Sequence, residues 1–141
     1  MLEALKLSLA PSAVVGFIVY MFGAVVMLAL FKFIYTRLTP HSEYELIREG
    51  NVAASVALVG AIIGFALPTS NIIANSVSVL DFLVWTVIAG AVQLLAFYIV
   101  HVLLKDLPQR IAKGDMAAAL YVAGVAVAVG MLNSACMTPS A

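Results

Sequence analysis

Residues 47–67 read IREGNVAASVALVGAIIGFAL, and residues 111–131 read IAKGDMAAALYVAGVAVAVGM. Set 64 residues apart, the two stretches match Ile47 to Ile111, Gly50 to Gly114, Ala53 to Ala117, Ala54 to Ala118 and Gly60 to Gly124, with Asn51 opposite Asp115. Each begins with a charged turn and runs into a long series of small and branched apolar residues. No β-strand alternation is present, and an open sheet in lipid would leave its edge groups unsatisfied, so the pair reads as two membrane-crossing helices of one repeated unit.

Four segments reach the roughly 20 apolar residues needed to cross about 30 Å of hydrocarbon at 1.5 Å per residue. They are Ala13 to Phe31, Val52 to Ile73, Phe82 to Leu104, and Met116 to Met137. Upstream of the quoted stretches, Gly23, Ala24 and Val25 correspond to Gly90, Ala91 and Val92. The expected fold is therefore an all-α membrane protein whose four transmembrane helices form two parallel tandem helical-hairpin repeats, residues 1–75 and 76–141. Each unit crosses twice, so both copies enter from one side, which predicts a pseudo-two-fold axis along the membrane normal. Pro68, Thr69, Ser70 and Asn71 interrupt the second helix, which is expected to bend or fray there.

Composition agrees. With 65% hydrophobic and 10% charged residues, and a mean hydropathy of +1.14, the chain has more apolar surface than a soluble domain of its size can bury. Seven Lys and Arg balance seven Asp and Glu, which leaves no basic field for nucleic acid. Cys136 is the single cysteine, so no internal disulfide and no multi-thiolate zinc site can form. His41 and Cys136 lack partners at metal-ligand spacing. The uncharged run from Leu7 to Phe31 is too long for a signal peptide and reads as a retained helix.

Charge placement sets the expected orientation. Lys32, Arg37 and Arg48 flank the first hairpin connection and Lys105, Arg110 and Lys113 the second, against Lys6 alone on the other side. Loops 37–50 and 105–115 are then cytoplasmic and both termini outside. Trp85 near the outer end, with Tyr35, Tyr98 and Tyr121 toward the inner ends, fits interfacial anchoring. Asp81 suits the start of the third helix.

The repeated residues have mechanical readings. Gly50 and Gly114 can take the left-handed conformation that ends a helix, and Asn51 and Asp115 can cap the next one. Ser42 with Glu45, and Asp106 with Gln109, have capping-box spacing, so each cytoplasmic connection is expected to hold a short helix. Gly60 and Gly64, with Gly124 and Ala128 at the corresponding positions, let helix backbones approach closely against the other repeat or another subunit. Gln93, His101, Asn133 and Ser134 are the polar groups expected at membrane depth, a candidate polar pathway. Their structural readings are an interhelical hydrogen bond for Gln93, an imidazole reaching the inner interface for His101, and helix termination for Asn133 and Ser134.

The segments IREGNVAAS, IAKGDMAAA, VSVLDFLVW (residues 77–85) and LNSACMT (residues 132–138) resemble the YjfL family of small bacterial inner-membrane proteins, over about Val15 to Thr138. The resemblance implies a multi-pass plasma-membrane location and a tandem domain of unknown function. It also points to membrane-stress and glutathionylspermidine-synthetase-like partners at the inner face, and it supplies no catalytic residue, metal or cofactor to carry over. The sequence thus favours a non-enzymatic, homo-oligomeric scaffold or docking subunit over a small channel or transporter. Its Ser, His and acidic groups are too scattered for an enzyme.

Overall fold

Four runs of apolar residues, each long enough to close its own backbone hydrogen bonds across lipid, become four long helices in the computed structural model. The structure describes residues 1–39 and 42–137; His41 and Thr138, named above, lie outside the described residues. In chain order the elements are α1 (Leu2–Ser8), α2 (Pro11–Leu38), α3 (Glu43–Arg48), α4 (Val52–Asn75), α5 (Val79–Leu103), α6 (Leu107–Ala112) and α7 (Met116–Cys136). Among the described residues there is no strand. After α1, both halves run long helix, short helix, long helix.

α1, which the hydropathy reading did not foresee, has no buried residue. It ends before Pro11, whose fixed φ suits the first turn of α2. At 28 residues, α2 is about 42 Å long, more than the hydrocarbon needs. The surplus lies after Phe31, where Lys32 and Arg37 sit over the rings of Tyr44 and Phe33.

α4 is the centre of the bundle and its most extensive partner is α7. The seam between them admits no side chain. A Cβ at Gly60 would stand 2.5 Å from Ala123 Cα. One at Gly64 would run into the Ala126 carbonyl and lie 2.5 Å from Gln93 Nε2. One at Gly130 would collide with the Gly64 carbonyl oxygen and lie 2.8 Å from Gly64 Cα. Such contact is what draws helices together where lipid removes any hydrophobic drive. On α7, however, Gly124 and Ala128 are exposed, and a Cβ at Gly124 meets nothing within 4 Å. Within one chain the close approach uses Ala123, Ala126 and Gly130 instead. Helix pairing shifts the contact face away from the register that alignment of the halves suggests.

Pro68 does not fray α4, one of the two outcomes the sequence suggested: the helix continues to Asn75 with Pro68 buried inside it. The missing N–H frees the carbonyl four residues back, that of Gly64. Gly130 packs on that carbonyl, and the Thr69 hydroxyl donates to the Phe65 carbonyl at 2.8 Å. Neighbouring backbone and a hydroxyl group support the helix where proline weakens it.

α2 is held to α4 and α5 by an aromatic column. Tyr20 meets Phe82 edge-on at 5.6 Å, Phe31 stacks on Phe65 at 4.4 Å, and Tyr35 meets Phe97 at 4.7 Å. Gly23 leaves space for Phe82, and Gly90 for Phe65. Tyr35 is buried in this column at 3% exposure, so it is no lipid-facing anchor; Trp85, Tyr98 and Tyr121 are exposed.

Gly64→Ala should destabilise the protein by about 1–3 kcal/mol, the usual cost of overpacking, whereas Gly124→Ala should leave it unchanged. Thermal unfolding of the detergent-solubilised variants distinguishes the two positions.

Candidate functional site

The short helices α3 and α6 lie at one end of the bundle, and one side chain in the turn after α3 reaches the end of α6. Gly50 and Gly114 both have φ of 85°, the left-handed value that glycine takes without a Cβ penalty. Each reverses the chain so that the next residue can cap the following long helix. Asn51 Oδ1 accepts from the Ala54 amide at 3.0 Å. Its Nδ2 donates to the carbonyls of Ile111 at 3.1 Å and Ala112 at 3.0 Å. One amide therefore caps the start of α4 and the end of α6. Asp115 accepts from the Ala117 and Ala118 amides and from Arg110 Nε at 2.7 Å. The Arg110 guanidinium and then the backbone amides hold its carboxyl below the ordinary range.

The short helices start differently. Ser42 accepts from the Glu45 amide at 3.4 Å. Asp106 makes no side-chain cap and sits at φ 58°, so the expected Asp106–Gln109 box is absent. The left-handed turn that brings the chain from α5 into Pro108 leaves the carboxylate off the α6 amides.

The polar residues at membrane depth spend their donors on neighbouring helices. Gln93, 5% exposed, reaches from α5 and donates from Nε2 to the Ala126 carbonyl of α7 at 3.1 Å, across Gly64 of α4. Its Oε1 is buried without a hydrogen-bond partner. Asn133 donates to the Ala89 carbonyl at 3.3 Å, and Asn71 donates to the Ser134 carbonyl at 2.6 Å. His101 is exposed, its ring 6.2 Å from that of Phe97. These four candidates do not converge. Gln93 and Asn133 bridge α5 to α7, Ser134 contributes its carbonyl to an α4–α7 tie, and His101 stands on the outer surface of α5. At the end opposite α3 and α6, a depression of about 360 Å³ is lined by Asn75, Asp81 and Trp85, with neither Asn133 nor Ser134 at its surface.

Inside the bundle, Gln93, Tyr35 and Phe97 border a cavity of about 20 Å³. A second, of about 10 Å³, shares Tyr35 and Phe97 with it and is closed by Glu43. Each has room for about one water. Among the described residues no cluster of His, Cys, Asp or Glu could hold a metal ion.

The family described as a domain of unknown function, DUF350, matches residues 8–137. The chain belongs to the DUF350 family. It is 38% identical over 126 residues to the UPF0719 inner membrane protein YjfL of Escherichia coli K12, covering 89% of this chain and 96% of that protein. The similarity to the protein of that name from Escherichia coli O157:H7 has the same extent. No solved structure matches. With four apolar spanning helices, the relationship makes this DUF350 member a multi-pass inner-membrane protein.

Sequence reasoning passed over one residue of this DUF350 chain. Glu43 opens α3 and is 5% exposed, with Oε2 lacking any partner among the described residues. In sequence it looks like an acid favouring a helix N-terminus, and only the packing of α2, α4 and α6 around it reveals the burial. Desolvation pushes its carboxyl pKa up, and the Thr39 hydroxyl beside it pulls partway back.

Asn51→Ala should cost roughly 1–2 kcal/mol through the lost cap and unpaired carbonyls, seen as a lower thermal midpoint in detergent. For Glu43, a raised folded-state pKa means that the protein binds this proton more tightly than the unfolded chain does. Its stability is therefore fully present below the ordinary value of 4.5 and falls as pH rises through the raised one. Glu43→Gln should match the native midpoint near about pH 4 and exceed it near about pH 8.

Proposed function

We propose that this protein is a non-enzymatic membrane component, an oligomeric scaffold or docking subunit built from two tandem copies of a helical hairpin, residues 1–75 and 76–141. The observation that carries the reading is the α4–α7 seam. Gly60, Gly64 and Gly130 bring the two halves into backbone contact where a permeation route between them would have to run. The Asn71 amide of the first half donates to the Ser134 carbonyl of the second, while the amides of Gln93 and Asn133 tie α5 to α7 within the second half.

Two surfaces are left for assembly. Gly124 and Ala128 stand four apart on the outward side of α7, where small residues suit close approach by a second copy. The α3 and α6 end, tied by Asn51, presents Arg48, Arg110 and Lys113 beside the turns. The basic residues concentrated at this end favour a cytoplasmic position, with both termini outside. There it would meet a protein partner, the membrane-stress class implied by the family resemblance.

Cross-linking in native membranes should trap a defined homo-oligomer, and Gly124→Leu should abolish it without lowering the thermal midpoint of the monomer. Purified protein in liposomes should pass neither ions nor small solutes. Flux above empty vesicles, or cysteine reporters placing residues 42 and 109 outside, would overturn the reading.

A further inference from the structure

An interfacial helix is normally seated by apolar residues, but the one buried residue of α3 is a glutamate. The other five residues of α3 are half-buried or exposed. The pocket that takes Glu43 is formed by four other helices. α4 contributes Ala54 and Ala57, α5 contributes Phe97, α6 contributes Leu107, Pro108 and Ile111, and α2 contributes Tyr35, with Thr39 just past its end. Among the described residues, Tyr35 is the only other titratable group lining it, and no Lys, Arg or His is in that lining. Neither of the two salt bridges among the described residues involves Glu43.

An ionised carboxylate with an unpartnered oxygen in such surroundings is costly, and the cheapest remedy is a proton. The neutral acid suits the pocket, with the Thr39 and Tyr35 hydroxyls as nearby polar company. The charged form does not, and α3 is short, lies at the bundle's end and is set off from α4 by the left-handed turn at Gly50, so it can lift without unravelling a membrane span. We propose that Glu43 is the proton-binding site of a latch. With the proton bound, α3 is seated between α2, α4, α5 and α6. When the proton passes to water, the carboxylate draws α3 out and uncovers the apolar floor formed by Leu107 and Ile111. The upward displacement of its pKa by burial agrees in direction. The latch stands whether or not the protein docks a partner.

The test uses the full chain in phosphatidylethanolamine–phosphatidylglycerol nanodiscs. Infrared spectra at neutral pH, where exposed carboxyls are ionised, should contain a protonated carboxylic-acid carbonyl band that Glu43→Gln removes. Should that variant fold poorly, the band of the native chain must still titrate above the exposed carboxyls. Opening is read with Ile47→Cys in a Cys136→Ser background. At alkaline pH its maleimide labelling should be several-fold faster with Glu43 present than with Glu43→Gln added, and the two rates should converge in acid. Absence of the band at neutral pH, its persistence in Glu43→Gln, or equal labelling rates at alkaline pH would overturn the latch.

Discussion

Backbone contact between α4 and α7 is the constraint on which the bundle depends. In lipid the apolar side chains gain little by leaving one oily surrounding for another, so association has to come from dense contact and from polar groups that lipid cannot satisfy. Gly60, Gly64 and Gly130 supply the first by removing side chains from the seam. Gln93, Asn71 and Asn133 supply the second, each donating to a carbonyl of another helix. Pro68 belongs to the same arrangement, because it frees the Gly64 carbonyl at the point where Gly130 arrives.

The remaining helices are added to this pair by weaker means. α2 is fixed by ring-on-ring contacts and by the space at Gly23 and Gly90, while most of its surface stays exposed to lipid. α3 and α6 are held through the Asn51 amide and through Glu43. This gradient, from a close seam to a lightly seated end, puts the opening proposed for α3 at a weakly held part of the bundle. Local opening is drawn from the elements with least buried apolar contact.

Much of the site is legible in the sequence. Gly50–Asn51 and Gly114–Asp115 are local signals, since a left-handed glycine followed by a capping residue depends on the chain's own backbone. Their geometry follows the expectation closely. Gln93 was legible as an interhelical donor because a primary amide in an apolar run has no other inexpensive partner. Glu43 was not, since its burial depends on residues more than fifty positions away in α5 and α6. The Asp106 cap failed because the backbone entering α6 turns left-handed, which spacing alone does not encode.

The sequence by itself determined the number of spans, the helical class, the two turns and the caps that start α4 and α7. These follow from hydrophobic length and from short-range backbone chemistry, both carried by consecutive residues. Only the tertiary structure decided that Ala123, Ala126 and Gly130, and not Gly124 and Ala128, face α4. It alone decided that Pro68 sits inside a continuous helix, and that an acid is the residue which seats α3. Those outcomes turn on the rotation of each helix about its own axis, and in a helix apolar on all sides that rotation is set by the partner's shape.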